Sequence, residues 1–263
     1  MPPTPAQEPE LTADCSRCFA LCCVLLPYSR TAGFGADKPG GVPCLQLADD
    51  DRCTIHADLR ERGWPSCTVF DCFGAGQHVA QVTYAGTSWR EYDDLGEMAA
   101  VLSAQRRVHE MLSHLREVAR RTPDPAAQAA WDRLLVVRDL TPVELLTLDV
   151  DDVQHEVGEL LSAASRRVRG RGPDLSRADL AGADLRTRDL RDCSLRGALL
   201  LAADLRGADL GRADLLGADL RDADVRGTDL GDVLFLTQPQ LDAARGDAGT
   251  AVPGHLRRPA HWS

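Results

Sequence analysis

Residues 203–230 read ADLRGADLGRADLLGADLRDADVRGTDL, and a leucine or valine recurs in this stretch at every fifth position. The period extends outward from Leu175 to Phe235, and a small residue stands two places before most of the central apolar residues. An α-helix repeats about every 3.6 residues and a strand alternates, so neither accounts for this period. The pattern predicts a repeat architecture in which two positions of each pentad face one common core.

The stretch resembles the pentapeptide-repeat family, whose members wind five residues per side and four sides per coil. The resemblance implies that residues 173–238 fold as a right-handed quadrilateral β-helix of about three coils, with the central leucines stacked at its axis. Residues 239–263 are expected to form a capping helix and a tail, because Leu241, Ala243 and Ala244 are spaced as in a short helix over the last coil. The predicted fold class is therefore mixed.

Residues 81–172 show helical patterns and are predicted to form a helical layer and linker. Asp94 with Glu97 resembles a capping box, and the apolar residues that follow recur mostly three and four positions apart. Asp124 and Thr141 each precede a proline, which is a common start of a helix. A last helix is expected from Val153 to Val168.

Residues 1–80 form a cysteine-rich segment, which is predicted to be a metal-binding module. Eight of the nine cysteines lie between positions 15 and 72. Disulfides are rare in the cytoplasm, and closely spaced thiolates suit either tetrahedral zinc or an iron–sulfur cluster, between which the spacing does not choose. Eight thiols would fill two four-ligand sites. The predicted ligands are Cys15, Cys18, Cys22, Cys23, Cys44, Cys53, Cys67 and Cys72.

The same segment resembles the zinc- or iron-chelating cysteine-cluster family, which carries a CxxCxx(x)CC start and a later run such as the one from Trp64 to Cys72. The gap before the double cysteine is three residues here, so the choice between Cys22 and Cys23 as ligand stays open. With its repeat tail, the whole chain resembles actinobacterial pentapeptide-repeat proteins that carry this module in front.

Other polar residues give weaker signals. His56 is the nearest histidine to the cysteines, and a catalytic zinc would normally have such a neighbour, but catalysis is the less favoured interpretation. His109 and His114 are five residues apart on a helix, which places them on different faces, and they are expected at the surface or at an interface. Cys193 occupies an inward position of the repeat and is expected to pack rather than to ligate.

Composition limits the partners. Thirty basic and forty acidic residues make the chain acidic, so we expect no direct binding to nucleic acid or to anionic membranes. No apolar run approaches the roughly 20 residues of a membrane span. Acidic residues at Glu8 and Glu10 do not fit a signal peptide, so we expect a cytoplasmic protein.

The surface of the repeat offers two further interpretations. An aspartate precedes most central residues, as in a mimic of duplex DNA that acts on gyrase, but arginines two positions later are expected to neutralise each face. Several leucines are expected to point outward as an apolar patch, covered either by the helical layer or by a second protein. The patch residues are Leu199, Leu201, Leu216, Leu234 and Leu236.

These observations predict a protein-interaction scaffold that carries a structural zinc or iron–sulfur module. The expected partner is another protein, including a second copy of the chain. A DNA-mimicking modulator of gyrase or topoisomerase and a metal-dependent enzyme are the two alternatives.

Overall fold

The computed structural model describes residues 8–186 and 188–262, and the chain divides into two compact units, Met1–Leu161 and Ser162–Ser263. The predicted segments 1–80, 81–172, 173–238 and 239–263 stay predictions. The α-helices of the described residues are α1 (Leu21–Leu25), α2 (Pro65–Thr68), α3 (Ala75–His78), α4 (Leu95–Arg121), α5 (Pro125–Arg138), α6 (Pro142–Thr147), α7 (Val150–Arg169) and α8 (Gln238–Ala243).

The first unit is built around α4, which contacts α1, α3, α5 and α6. Its apolar stripe is buried, with Val101, Val108 and Leu112 fully enclosed. Short 3₁₀ turns at Cys15–Arg17, Arg30–Ala32 and His56–Asp58 interrupt the N-terminal loops, and a π-helical turn spans Val79–Thr83. The cysteine segment is therefore a loop-rich region that lies against a long helix.

The predicted helix starts are confirmed. The Asp94 carboxylate accepts a hydrogen bond from the Glu97 backbone N–H at 2.9 Å at the start of α4. Asp124 caps α5 in the same way, and Thr141 forms a full capping box at the start of α6. Each cap satisfies backbone N–H groups that have no partner inside the helix.

The second unit contains the pentads, and its coils are joined by isolated parallel bridges between residues twenty positions apart. Asp179 pairs with Leu199, and Leu199 pairs with Asp219 in turn. Between bridges, the backbone makes a turn. The residue two positions after the central leucine takes a positive φ, as at Gly207 and Gly217. The repeat period of the sequence is thus expressed as stacked turns.

The predicted quadrilateral β-helix is wrong. Residues 8–186 and 188–262 contain no β-strand and no sheet, and their regular secondary structure is helical. A strand needs consecutive extended residues that pair in a ladder, whereas each pentad has one bridging residue and uses the others to turn. The corrected description of this region is a coil of turns with single bridges.

The core of the second unit is a column of central leucines with small residues between them. Leu195, Leu200 and Leu205 are fully buried, as are Ala198 and Ala203. Helix α8 lies where a capping helix was predicted, and its Leu241 lies in this core.

The residues after α8 were expected to form a tail, but they pair with the last coils. Arg245 and Ala251 form parallel bridges with Asp224 and Asp229, and Trp262 packs in the core cluster. The C-terminal segment therefore continues the stacking of the coils beyond the pentads.

Candidate functional site

The first pair of cysteines is placed by a capped turn. The Asp14 carboxylate accepts a hydrogen bond from the Ser16 backbone N–H at 2.9 Å and starts the 3₁₀ turn Cys15–Arg17. The turn leaves Cys15 exposed and buries Cys18, whose thiol lies 3.6 Å from the Cys15 carbonyl oxygen. The two-residue gap thus brings both thiols to one local loop.

Cys72 joins this pair at Gly76 of α3. A Cβ on Gly76 would lie 3.2 Å from the Cys18 Cβ, 3.5 Å from the Cys72 Sγ and 3.8 Å from the Cys18 Sγ. The Gln77 side chain accepts a hydrogen bond from the Asp14 backbone N–H at 3.1 Å and ties the N-terminal loop to this helix. The absence of a side chain at Gly76 therefore leaves room where two distant cysteines meet.

Cys22 and Cys23 lie side by side on α1. Their Sγ atoms are 3.9 Å apart, and both side chains are half-buried. Ala20, with a φ of 55°, stands at the left-handed turn that begins the helix. The Cys23 carbonyl oxygen accepts a hydrogen bond from the Cys44 backbone N–H at 3.0 Å, which connects this helix to the next cysteine loop.

Three more cysteines surround a small aromatic core. Cys44, Cys53 and Cys67 all pack against a cluster of buried residues that includes Tyr28 and Trp64. Their loops are held by a bridge between Leu47 and Cys53 and by backbone hydrogen bonds to neighbouring turns.

Electrostatic interactions link the eight thiols, and some of them run between the two ends of the segment, because Cys23 and Cys53 both interact with Cys15 and the strongest interaction of Cys22 is with Cys23. Cys44, Cys53 and Cys67 each interact with Cys23. Cys15 interacts with Cys18 and with Cys72, and Cys22 interacts with both Cys15 and Cys18 as well as with Cys23. We name two sets from these contacts. The first thiol group is Cys15, Cys18, Cys22 and Cys72, and the second thiol group is Cys23, Cys44, Cys53 and Cys67.

Neighbouring thiols shift each other's ionisation. The hydrogen bond from Cys18 lowers the pKa of Cys15 to about 6, and the same bond raises the pKa of Cys18. The hydrogen bond from Cys22 lowers the pKa of Cys23 to about 7. Burial raises the pKa of Cys67 to about 12. Each group therefore contains one thiol that ionises near neutral pH, and a thiolate is the form that binds metal.

The fit of these residues to a metal was tested on their positions and chemistry. Within the described part of the chain, no group of three or more His, Cys, Asp or Glu side chains is drawn together closely enough to hold an ion. All nine cysteines are free thiols, and the donor set is all sulfur, which suits zinc or an iron–sulfur cluster. The room at Gly76 also suits closer approach of Cys18 and Cys72. The eight predicted ligands thus stay a prediction that the chemistry of the donors favours.

Two histidines that were expected at the surface are buried. His109 is 2% exposed, and its ring donates a hydrogen bond from Nδ1 to the Phe73 carbonyl oxygen at 2.9 Å. His114 is buried too, so the surface alternative is wrong for both residues. Gln105 and His109 are four residues apart and continue the apolar stripe of α4. This spacing is the signal from which the burial of His109 could have been predicted.

His109 belongs to a buried polar cluster that the sequence did not indicate. The His78 and His109 rings are 5.4 Å apart. His78 Nε2 and Gln105 Nε2 both donate to the Arg138 carbonyl oxygen, at 3.0 Å and 2.7 Å. This cluster fastens the end of α5 to α3 and α4.

The leucine patch is smaller than predicted. Leu199 and Leu201 are exposed, at 46% and 38%, and Leu216 is half-buried. Leu234 and Leu236 are buried, so their predicted outward position is wrong. Leu234 continues the bridged column of Ser194 and Asp214, which are also buried, and Leu236 directly follows Phe235, whose φ is positive.

The charged faces of the repeat are neutralised by pairing, as expected. Arg186 contacts Asp184 at 2.6 Å within its own pentad and Asp204 of the next coil at 3.5 Å. Arg206 repeats this arrangement with Asp204 and Asp224. The aspartates therefore do not form a run of uncompensated negative charge like that of a DNA backbone.

Comparisons with known proteins cover both units. The profile of the family described as Pentapeptide repeats matches residues 174–210 and 198–235, with eight copies. The "Uncharacterized protein YybG" of Bacillus subtilis (strain 168) is 49% identical over 265 residues, which cover 96% of this chain and 95% of that protein.

Among solved structures, the crystal structure of a pentapeptide repeat protein (Rfr23) from the cyanobacterium Cyanothece 51142 is 37% identical, with a TM-score of 0.28. The match covers 30% of this chain and 53% of that chain, so it spans about half the length of Rfr23. No helix within the described residues is long and apolar enough to cross a membrane. The actinobacterial type and the cysteine-cluster resemblance stay predictions.

Proposed function

The chain belongs to the pentapeptide-repeat family and is similar to YybG along nearly its full length. From this premise we propose that it is a protein-interaction scaffold with an N-terminal metal module. In this proposal, the repeat presents a surface to another protein. The cysteine segment binds zinc or an iron–sulfur cluster that stabilises its loops.

The proposal is supported by the eight free thiols of the cysteine segment, which we assign to two groups of four. Cys22 falls in the first thiol group and Cys23 in the second, so adjacent residues would serve different sites. In this proposal Cys22 and Cys23 are both ligands, one in each site. Four cysteine ligands without an imidazole or a carboxylate are typical of closed, structural sites.

Bound metal would supply cross-links between loops that have little secondary structure of their own. The first thiol group would connect the N-terminal turn to the start of α3, and the second would connect α1 to the loops of Cys44, Cys53 and Cys67. Binding energy of this kind is folding energy, because the unfolded chain has no preformed site.

The scaffold part of the proposal is supported by the exterior of the repeat. Asp–Arg pairing makes most of that exterior neutral, whereas Leu199 and Leu201 remain exposed. Paired faces disfavour a duplex mimic, since an imitation of DNA needs unbalanced negative charge. An exposed leucine pair is more typical of contact with another protein.

The metal proposal is tested by purifying the full-length protein without oxygen and measuring bound zinc, iron and sulfide together with the absorption spectrum. We expect either about two zinc ions per chain in a colourless protein or stoichiometric iron and sulfide with charge-transfer absorbance. Cys67→Ser and Cys72→Ser should each remove one site and leave the other.

Cys193→Ala is the matched control, because Cys193 occupies an inward position of the repeat that alanine fills in most other pentads. It should retain the full metal content. Metal-free protein that is folded and retains eight reactive N-terminal thiols would reject the metal module.

A further inference from the structure

Lys38 is the only lysine of the chain, and it is buried beside the second thiol group. Lys38 is 8% exposed to solvent. The ammonium donates hydrogen bonds to the Val24 carbonyl oxygen at 2.9 Å and to the Pro39 carbonyl oxygen at 3.1 Å. It also lies over the Tyr28 ring, 4.7 Å from its centroid. Every other basic residue among the lysines and arginines of this chain is an arginine, so the chain has a lysine ammonium at this position alone.

The local backbone places the ammonium next to the cysteines. Tyr28 and Lys38 form an antiparallel bridge with two backbone hydrogen bonds of 2.8 Å and 3.0 Å. This bridge turns the Lys38 side chain toward the end of α1, where Val24 directly follows Cys23. The Lys38 charge interacts with the thiols of Cys44, Cys23 and Cys22, in that order of strength.

A buried ammonium requires compensation, because removal of a charge from water costs several kcal/mol unless it is paired. In the ion pairs of the described residues, no carboxylate partners Lys38. Two backbone carbonyls and an aromatic face supply dipoles but no negative charge. Four thiolates around one divalent zinc ion leave two excess negative charges, which are the matching compensation.

We infer that Lys38 is the charge-compensating residue of the second thiol group, whose excess negative charge it neutralises when Cys23, Cys44, Cys53 and Cys67 hold a metal ion. The inference rests on the proposed metal module and deepens it. Lys38 does not ligate the ion. It acts through the ligands, as outer-shell groups do in other metal sites.

The test is a Zn²⁺ titration of the full-length protein against a chromogenic chelator, with Co²⁺ absorption as a second probe of thiolate coordination. Lys38→Gln removes the charge and keeps donors for Val24 and Pro39, whereas Lys38→Arg keeps the charge. We expect Lys38→Gln to weaken one of the two Zn²⁺ sites by about tenfold to a hundredfold, and Lys38→Arg to stay within about threefold of the unchanged protein.

A matched control removes a cation elsewhere in the same module. Arg62 is exposed and pairs with Asp58 four residues earlier, so Arg62→Gln should leave both Zn²⁺ affinities unchanged. The location of the effect is tested in backgrounds that lack one site. Lys38→Gln should still weaken the remaining site in Cys15→Ser protein, and it should have a smaller effect on the remaining site in Cys67→Ser protein, because the interaction with Cys22 is the weakest of the three thiol interactions of Lys38.

The outcomes distinguish a failure of the metal module from a failure of the role of Lys38. Unchanged protein that binds neither Zn²⁺ nor Co²⁺ overturns the metal module itself. The role of Lys38 alone is overturned if Lys38→Gln protein binds Zn²⁺ with the same affinity as the unchanged protein. It is also overturned if Lys38→Gln lowers the Zn²⁺ affinity equally in both cysteine backgrounds. If Lys38→Gln does not fold by circular dichroism, Lys38→Arg carries the test: affinity within about threefold supports the inference and a tenfold loss overturns it.

Discussion

Arg196 and Asp214 form an ion pair whose carboxylate is fully buried in the second unit. Arg196 Nε lies 3.1 Å from Asp214 Oδ2, and the Asp214 side chain is 0% exposed. Arg196 also lies over the Phe235 ring, and Asp214 Oδ1 accepts a hydrogen bond from the Leu216 backbone N–H at 3.0 Å. Most Asp–Arg pairs of the repeat are exposed to solvent, so we expect the loss of this buried pair to cost more stability than the loss of an exposed one.

Asp214→Asn should destabilise the second unit by about 3 to 5 kcal/mol, because it leaves the Arg196 charge without its buried partner. Asp184→Asn is the control, since Asp184 pairs with Arg186 at the surface and should cost much less. Urea unfolding followed by circular dichroism compares the two. Equal losses in the two variants would contradict the distinction between the buried and the exposed pair.

Leu200 and Leu199 are adjacent, but only Leu200 supports the core. Leu200→Ala should cost about 2 to 5 kcal/mol, because it opens a cavity in the stacked leucines. Leu199→Ala removes the same atoms from an exposed position and should stay within about 0.5 kcal/mol of the unchanged protein. Thermal and urea unfolding measure both. A similar loss at Leu199 would show that the side chain is covered in solution.

Gly76 should be required for metal content. Gly76→Val places methyl groups where Cys18 and Cys72 meet, so we expect the loss of about one of two bound metal ions with little change in helix content. Gly158→Ala is the matched control, because Gly158 lies in α7 with no atom within 4 Å of the added Cβ. Elemental analysis of the purified variants gives the result. Full metal content in Gly76→Val protein would exclude the first thiol group as a site.

The first unit should lose stability in mild acid through His109. Burial lowers the pKa of His109 to about 4, whereas histidine in an unfolded chain titrates near about 6.5. Between these pH values the unfolded chain binds the additional proton. Stability is therefore complete above about pH 6.5 and falls as the pH approaches 4, by at most about 3 kcal/mol from this residue. His78, Arg138 and Asp139 face the same ring and modulate the shift.

Urea unfolding at pH 7.5 and pH 5.0 checks this prediction, with helicity as the signal. His109→Asn keeps a donor for the Phe73 carbonyl oxygen and removes the titration, so its stability should depend less on pH. His155→Asn changes an exposed histidine of α7 and should behave like the unchanged protein. If His109→Asn retains the full acid sensitivity, another group carries it.

Local sequence signals determined much of this protein. The caps at Asp94, Asp124 and Thr141 start helices where they were expected, because a cap is satisfied by residues within one turn. The five-residue period placed Leu200 and its equivalents inside, because their positions repeat with the chain itself. The same period did not decide the secondary structure, since one bridging residue per pentad makes turns and single bridges instead of strands.

The tertiary structure decided the rest, because it depends on residues far apart in the chain. The burial of His109 required the Phe73 carbonyl oxygen, thirty-six positions away, as a partner. Cys18 and Cys72 both lie beside Gly76, which has no side chain to fill the space next to them. The sequence does not show that Lys38 lies near the thiols, whereas the bridge to Tyr28 turns its side chain toward them. Spacing thus identified which residue types carry the chemistry, and long-range packing determined which of them lie together.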